Sequence, residues 1–380
     1  MMVVIYAHAA DYRSDLSLEY INYDEFSDEA VLSGNTKLTL QNDLFTTNVL
    51  LEYLYSSEYK DRRYILLNEF YVSKAYEEYS FTLGKVIRYW GELEGFNIAD
   101  VYNQKNYLLD PFDKSAKLGS WGFFVSKYFD ESRLEFGVRF YEEDQKYPSV
   151  DEPYSPFLLD YDDTLLFSDG RYTPTLHLMY SFTDDTVADS ETKIILLHGY
   201  DNKRYFKMIS QNSLSQYAYR VNKVLLLSNV VYKSAIFKCE AGYTDVIRDD
   251  DISDYTQLSF GAENGFYDIF GADISVYAEY YRYLYRQEKI ENVDISEIYD
   301  NDIFIAFRLD LNDPSGSQLK GGVLYDIKSG EQIIKAEGRS RIVDNLVLNC
   351  EYLQPLPSEN TLLSQLGETR RVVLGLTYTF

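Results

Sequence analysis

The amino-acid sequence predicts an all-β fold, a single antiparallel transmembrane β-barrel of about eighteen strands with long extracellular loops and short periplasmic turns. Two observations predict this fold. The C-terminal segment alternates strictly, with large apolar side chains at Val372, Leu374, Leu376, Tyr378 and Phe380, which is the period of a strand with one apolar face. Many other segments of about ten residues repeat the same alternation, as the strands of a membrane barrel do.

The amino-acid composition agrees with this fold. The chain has 380 residues, of which 38 are Tyr, 22 are Phe and only 2 are Trp. Such an excess of aromatic residues is typical of the girdles where a barrel meets the two membrane interfaces. The mean hydropathy is −0.32, and no run approaches the ~18 apolar residues of a membrane-spanning helix. The formal net charge of −25 at pH 7 argues against nucleic acid as a partner.

The N-terminus indicates export. Ala7-His8-Ala9 fits the A-x-A cleavage site of a secretory signal peptide. We therefore predict a signal-peptide remnant over 1–9 and a single barrel domain over 10–380, with a disordered apolar N-terminus as the alternative. Cys239 and Cys350 fall on the apolar phases of two different strands, so we expect two small lipid-facing residues and not a disulfide.

Each strand is predicted from its own run of alternating residues. In chain order the predicted strands cover residues 13–24, 34–42, 45–58, 62–74, 77–89, 116–129, 132–142, 172–183, 191–201, 219–231, 234–246, 254–265, 271–286, 299–311, 317–327, 331–341, 343–354 and 369–380. The even number fits bacterial single-chain barrels, and the count falls to sixteen if a weak pair merges. Segment 203–212 could also be a strand, but including it would disturb the sorting of the connections by length.

The connections between the predicted strands sort into two classes. If the C-terminal end lies at the periplasmic side, short turns such as Asp130-Glu131 and Val343-Asp344 fall together on that side. The long connections then all face outward; they cover residues 89–116, 143–172, 201–218, 246–254, 286–299 and 354–369. Short turns at one end and long loops at the other are the pattern of outer-membrane barrels.

The C-terminal strand resembles the closing strand of Gram-negative outer-membrane barrels, whose assembly machinery reads a terminal Phe preceded by alternating apolar residues. The resemblance implies that Leu376, Tyr378 and Phe380 form an assembly signal. It also implies that the protein lies in the outer membrane, in contact with lipid and lipopolysaccharide. An edge strand of a soluble β-sandwich is the alternative. A barrel, unlike a sandwich, pairs the strand near Arg13 with the strand that ends at Phe380, because an open edge in hydrocarbon leaves backbone groups unsatisfied.

The connection after the fifth strand carries the most distinctive motif. Trp90-Gly91 is followed by Asp100-Val101 and then Asn103, and this spacing resembles a family of porin-like barrels of unassigned function over residues 64–120. In the general porins, the third loop folds into the lumen and narrows it. The resemblance therefore implies a constriction loop over residues 90–116. An ordinary surface loop with a short helix over 97–103 is the alternative.

Charged residues on the inward phases predict an electric field inside the barrel. A cation facing lipid would cost roughly 2–4 kcal/mol at the membrane midplane, whereas in a wet lumen it costs little. We predict that Glu92, Glu94 and Asp100 on the loop oppose a basic wall across the constriction. The candidate pore-lining cations are Arg133, Arg139, Arg308, Lys320, Lys335, Arg339, Arg341 and Arg371. Alternatively, these charges pair with inward acids such as Glu240 and Glu279 and only rigidify the wall.

The sequence predicts no catalytic residue, no cofactor and no metal site. It contains no Ser/His/acid spacing, no zinc-ligand motif and no Gly-rich phosphate loop. His177, on an inward phase, is interpreted as a hydrogen-bonded wall residue, and an outer-membrane protease or lipase is the enzymatic alternative. The acidic clusters at 160–163 and 249–251 could hold Ca²⁺ or Mg²⁺ next to lipopolysaccharide phosphates, but solvated loop charge is the simpler interpretation.

These patterns together predict a passive channel for small hydrophilic solutes. A plug domain is not expected, because strand alternation begins near Leu16. The alternative is a surface binding or adhesion protein that uses its acidic loops on a barrel anchor. An inward third loop would favour the channel, and an outward one the binding protein. General porins are homotrimers, but nothing in the sequence decides the oligomeric state.

Overall fold

A closed β-barrel makes up most of the computed structural model. The structure describes residues 9–186, 188–249, 251–285, 298–359 and 361–380. Its strands are β1 Ala9–Tyr23, β2 Glu29–Gln41, β3 Thr46–Ser56, β4 Arg63–Tyr76, β5 Tyr79–Val86, β6 Gln104–Lys105, β7 Lys117–Leu118, β8 Ser120–Tyr128, β9 Ser132–Arg139, β10 Asp160–Phe167, β11 Thr175–Asp184, β12 Asp189–Tyr200, β13 Tyr205–Ser210, β14 Ser213–Ala218, β15 Arg220–Tyr232, β16 Ala235–Val246, β17 Tyr255–Ile269, β18 Ala272–Tyr285, β19 Asn301–Asp310, β20 Gln318–Asp326, β21 Gln332–Val343, β22 Leu346–Leu356 and β23 Arg371–Thr379. A short helix, α1 Leu362–Leu366, precedes the last strand. Within the described ranges, no helix has the length and apolar character needed to cross a membrane.

Eighteen strands of the described residues form one antiparallel sheet, namely β1 to β5, β8, β9, β11, β12 and β15 to β23. The sheet closes where β1 pairs with β23, from Asp15 opposite Thr379 to Tyr23 opposite Arg371. Closure leaves no edge whose backbone N–H and C=O groups need other partners. The predicted pairing of the first and last strands is therefore confirmed, with eighteen strands rather than sixteen, and a two-layer soluble sandwich is excluded.

The two faces of the barrel wall follow the sequence alternation. Leu374 and Leu376 are 56% and 40% exposed on the outer surface, whereas Arg371 on the inner face is 2% exposed. Other strands repeat this arrangement, for example with Ile305 on the outer surface of β19, 61% exposed. The outer surface is therefore an apolar belt of the kind that lipid covers. Both cysteines are free, as the sequence predicts.

The connections between barrel strands are short at one end of the barrel, called here the turn end, and mostly long at the other, the loop end. At the turn end, residues 233–234 join β15 to β16 and residues 270–271 join β17 to β18. The connections 87–119, 140–174 and 201–219 all leave from the loop end. The predicted sorting of the connections by length is confirmed.

The long connections contain strands that the sequence did not predict. β14 pairs with both β10 and β13 in a three-stranded sheet outside the barrel wall. Segment 203–212 is therefore partly a strand, β13, but it belongs to this small sheet, and the sorting of the barrel connections is unaffected. A period of two is common to every strand, so alternation alone does not separate a barrel strand from a short hairpin in a loop.

β1 and β2 are longer than the alternation predicts. They begin at Ala9 and Glu29, whereas the predicted starts were residues 13 and 34. The added part of β1, Ala9 to Tyr12, does not alternate regularly between apolar and polar residues, yet Asp11 still pairs with Thr39, because backbone hydrogen bonds do not depend on the side-chain pattern. Residues 1–8 lie outside the described residues, so the signal-peptide remnant over 1–9 stays a prediction.

Candidate functional site: the inner loop and the lumen

The connection 87–119, called here the inner loop, joins β5 to β8 and contacts inward-facing side chains on the far side of the barrel. The carboxylate of Glu240 on β16 accepts hydrogen bonds from the backbone N–H groups of Glu92 (2.7 Å) and Ala99 (3.0 Å). Glu279 on β18 accepts hydrogen bonds from the backbone N–H groups of Gly95 (2.8 Å) and Glu94 (2.7 Å). Two buried wall carboxylates thus hold four backbone groups of the inner loop.

A second set of contacts ties the inner loop to β21 and β23. Asp110 of the loop binds Nζ of Lys335 and the guanidinium of Arg371, each at 2.9 Å. The backbone carbonyl of Leu109 accepts a further hydrogen bond from Arg371 at 2.5 Å. Although burial raises the pKa of Asp110, Arg371 and Lys335 hold that pKa below its ordinary value. The loop acid that meets the basic wall is therefore Asp110, which no motif in the sequence distinguishes.

Aromatic side chains hold the inner loop at two separate places. Trp90 and Tyr102, 5% and 1% exposed, pack edge-on against His177 of β11, with ring centroids 4.9 and 5.6 Å apart. Phe96 stacks on Tyr299 at 4.4 Å. Aromatic contacts of this kind add to the free energy of apolar burial. His177 is thus a packed wall residue, and its Nε2 lies 3.2 Å from a Glu135 oxygen.

The Asp-Val-x-Asn motif closes the base of the inner loop. Asn103 accepts a hydrogen bond from the N–H of Arg88 (2.6 Å) and donates to the carbonyls of Val86 and Leu118 (2.9 Å each). These contacts join the residues that enter the loop to those that leave it. The buried Asn103 amide satisfies three backbone groups at the place where β5 and β8 no longer pair with each other. It thus takes the place of the backbone hydrogen bonds that the two strands lack there.

Asp100, predicted to face the basic wall, serves the base of the loop instead. It is 4% exposed and accepts hydrogen bonds from Nζ of Lys117 (2.6 Å) and from the N–H of Trp90 (3.2 Å). Lys105 lies 4.0 Å from the same carboxylate, and burial lowers the pKa of Lys105 to about 8 although Asp100 raises it. The Asp100 carboxylate is thus paired with groups of the inner loop itself.

The other two predicted loop acids also differ from the expected arrangement. Glu92 turns toward β12 and β15, where it binds Nζ of Lys193 at 2.8 Å and the amide of Asn229 at 2.7 Å. Glu94 is half exposed and lies 3.5 Å from Nζ of Lys238 and 3.7 Å from Nζ of Lys114. None of the three acids forms an ion pair with the basic wall of β20 to β23 among the described residues.

The predicted pore-lining cations separate into paired and unpaired groups. Arg139 is 1% exposed and binds Glu142 at 2.7 Å, so it does not face open lumen. Arg133 binds Glu135 on its own strand, and Arg308 binds Asp310 at 3.0 Å. Arg371 also binds Glu351. For these residues the alternative interpretation, pairing along the wall, describes the structure better than an open field.

An open cavity of 680 Å³ lies between the inner loop and the wall formed by β18 to β23 and β1. Lys320 and Arg339 line it, are exposed and form no ion pair within the described part of the chain. Glu94 and Glu337 bring negative charge to the same cavity. Arg341 is exposed next to the β21–β22 turn and is not part of this lining. The cavity therefore presents unpaired cations on the wall and half-exposed carboxylates on both sides.

The connection 140–174 covers the inner loop from the loop end. Tyr147 stacks on Tyr107 of the inner loop at 5.1 Å, and Lys146 forms an isolated bridge with Asn106. Farther along the same connection, the hydroxyl of Tyr154 donates a hydrogen bond to the backbone carbonyl of Thr369, just before β23, at 3.0 Å. The two connections pack together, and each limits the movement of the other.

The acidic clusters singled out in the sequence remain untested. The side chains of Asp160 and Asp163 lie outside the described residues, and so does Asp250. Asp249 accepts a hydrogen bond from the Tyr217 hydroxyl at 2.8 Å. The expectation that these clusters hold divalent cations stays a prediction.

Comparison with known proteins gives a fold but no family. No protein-family model matches the chain, and no curated protein resembles it in sequence. Three crystal structures of Pseudomonas aeruginosa outer-membrane porins resemble this structure over nearly the whole chain. OccK11 (OpdR) gives a TM-score of 0.58 at 10% sequence identity, covering 98% of this chain and 96% of that one. OccK2 (OpdF) in complex with glucuronate gives 0.59 at 10% identity, covering 98% and 96%.

The third structure, OpdK with vanillate, gives a TM-score of 0.56 at 11% identity and covers 99% of both chains. At such identities the likeness shows the fold alone. The chain thus has the eighteen-stranded barrel fold of these outer-membrane porins.

Proposed function

We propose that the protein is an outer-membrane channel for the passive diffusion of small hydrophilic solutes, in which the inner loop sets the narrowest point. One observation carries this proposal. The inner loop is tied across the lumen, to β16 and β18 through Glu240 and Glu279 and to β21 and β23 through Asp110. A loop held at several buried points keeps a fixed opening beside it, and the 680 Å³ cavity lies there.

The charges that line the cavity support a selective rather than a general passage. Lys320 and Arg339 are unpaired cations on the wall, and Glu94 and Glu337 face the same space. Fixed charges at a narrow point select solutes by sign and geometry. The solutes named with two of the similar structures, glucuronate and vanillate, each carry one carboxylate. We therefore propose small hydrophilic carboxylates among the solutes of this channel.

Membrane location and assembly belong to the same proposal. The apolar belt on the outer surface supports insertion in a lipid bilayer. The exposed Leu376 and Tyr378 on the outer face of β23, and the exposed Phe380 directly after it, support an assembly signal read in the outer membrane. Contact with lipopolysaccharide stays a prediction, and the choice between a homotrimer and another oligomeric state stays open.

The inner-loop contacts favour a channel over the adhesion alternative. A binding platform would present its third connection to the outside, whereas the inner loop is held by wall carboxylates that are 0% and 4% exposed, Glu240 and Glu279. Within the described residues of the outer connections, no specific contact surface supports adhesion as a second function.

Liposome swelling tests the proposed transport directly. Proteoliposomes with the wild-type protein should swell in a small sugar and in sodium glucuronate faster than protein-free liposomes. Lys320→Gln with Arg339→Gln should slow swelling in glucuronate several-fold more than in the neutral sugar, because the cations of the passage are lost. Lys60→Gln with Lys233→Gln, which removes two exposed cations outside the cavity, is the matched control. Wild-type liposomes that do not swell in either solute would contradict the channel.

A further inference from the structure

Three aspartates meet at the loop end of the barrel, where β19 begins and β20 ends. Asp302 and Asp326 are direct cross-strand partners and are only 1% and 4% exposed. Asp300 precedes β19, and one carboxylate oxygen from each of the three residues lies within 4.8 Å of the others. Like charges directly opposite each other destabilise a strand pair, so this rim cluster requires a compensating partner.

Among the described residues, the protein supplies only part of this compensation, a side-chain hydrogen bond between Asp300 and Asp326. None of the three carboxylates forms an ion pair with a Lys or Arg there. Asp326 accepts a hydrogen bond from the backbone N–H of Lys328 at 2.6 Å, and Asp302 accepts one from Asn301 at 3.0 Å. Backbone N–H groups stabilise a carboxylate but do not neutralise it, and buried charges are ordinarily paired or bound to a metal.

A fourth carboxylate beside the rim cluster has an unsatisfied oxygen. Glu331, the residue before β21, is 8% exposed, and its Oε2 atom is buried without a hydrogen-bond partner. Its carboxylate acts electrostatically on Asp300 and Asp302, and Asp326 acts on it in turn. The Thr361 side chain and the Ser358 backbone interact with the Glu331 carboxylate as hydrogen-bond partners, and Oε2 is the oxygen that stays without one. A buried acceptor without a donor costs free energy, and here it lies next to three more acids.

We propose that Asp300, Asp302, Asp326 and Glu331 bind one divalent cation of the Ca²⁺ class. Hard cations take carboxylate oxygens, and Ca²⁺ accepts six to eight of them at about 2.3–2.6 Å in irregular geometry. Mg²⁺ requires near-ideal octahedral geometry and usually keeps several of its waters, whereas a site built from three or four protein carboxylates suits the larger and less regular coordination shell of Ca²⁺.

The site also lies next to a contact of the inner loop. Asp300 follows Tyr299, whose ring stacks on Phe96 at 4.4 Å with the planes 10° apart. A cation bound to Asp300 fixes the chain at Tyr299 and so holds the aromatic contact with the inner loop. This cation is distinct from the proposed transport function, because the rim cluster is not part of the cavity lining.

Calcium titration of the whole barrel tests the site. The protein is refolded from inclusion bodies into detergent micelles, so that no lipopolysaccharide is present, and is dialysed against a chelator and then buffer. Isothermal titration with CaCl₂ should show saturable binding of one ion per chain, with at least tenfold weaker binding of Mg²⁺. Calcium should also raise the temperature at which the folded band is lost in heat-modifiable electrophoresis.

The variants separate a metal site from carboxylates that merely share protons. Asp302→Asn with Asp326→Asn should abolish saturable Ca²⁺ binding and the calcium-dependent rise in unfolding temperature. Asp313→Asn with Asp344→Asn, two acids in turns at the opposite end, should keep both. Glu331→Gln, a milder change, should weaken Ca²⁺ binding several-fold. Absence of saturable binding to the wild type, or wild-type affinity in the Asp302/Asp326 double variant or in Glu331→Gln, would overturn the proposal.

Discussion

Glu240 shows what a single residue contributes to the proposed channel. Strand parity places it on the inner face, because successive side chains of a strand point to opposite sides, and the sequence predicted that much. Its partners, the N–H groups of Glu92 and Ala99, are 148 and 141 positions away in the chain. Alternation carries no information about the path of an irregular loop, so the sequence could not predict these hydrogen bonds.

Replacing Glu240 tests whether this carboxylate holds the inner loop. Glu240→Ala leaves two buried N–H groups without an acceptor, at a cost of about 1–3 kcal/mol each. The inner loop should then move more, with a higher mean conductance and larger current fluctuations in single-channel recordings. Glu240→Gln keeps one acceptor oxygen and the side-chain volume, and should have a smaller effect. Wild-type conductance and noise in Glu240→Ala would mean that other contacts position the loop.

The predicted site residues show which properties of a single charged residue can be predicted from the sequence. The alternation of side chains along the strands indicated that Arg371 and Lys335 lie on the inner face of the wall. It did not indicate that Asp110 pairs with both, because nothing in the local sequence distinguishes Asp110 from an ordinary turn residue. Asp100 belonged to a recognisable motif, but its contacts with Lys117 and Trp90 make it part of the loop base rather than of an opposing field.

The strands are the elements that the sequence predicts best. Period-two alternation is a local property, and all eighteen barrel strands lie where it indicated. Where pairing continues beyond the regularly alternating residues, as at the start of β1 and β2, the pattern covers less than the whole strand. The small sheet of β10, β13 and β14 depends on contacts between two separate connections, which no single segment encodes.

A pair of adjacent residues on β23 tests the orientation of the wall. Leu376 is exposed on the outer surface, whereas Thr377 faces inward and binds Ser17 at 2.8 Å. Leu376→Arg would place a cation in lipid and should lower the free energy of unfolding by up to about 2–4 kcal/mol. Thr377→Arg, the matched control, should cost less because its side chain can reach the lumen. Denaturant unfolding of both variants in lipid vesicles measures the difference, and equal losses would contradict the assigned faces.

In the whole molecule, barrel closure and the path of the inner loop through the interior divide the cations of the wall into paired and unpaired groups. Lys335 and Arg371 bind carboxylates of the loop and wall, whereas Lys320 and Arg339 remain unpaired in the cavity. The sequence left a lumen field and wall pairing as alternatives, and each describes a different subset of residues. That division depends on where the inner loop passes, so it required the folded barrel.

Ion selectivity in a planar bilayer at about 0.1–0.15 M salt tests the proposed passage most directly. Lys320→Glu with Arg339→Glu should make the channel markedly more cation-selective than the wild type, because charges within the Debye length of about 8–10 Å act on permeating ions. Lys60→Glu with Lys233→Glu changes the net charge equally, away from the cavity, and should leave the reversal potential near the wild-type value. A reversal potential that stays at the wild-type value in the Lys320/Arg339 variant would contradict a permeation path between the inner loop and this wall.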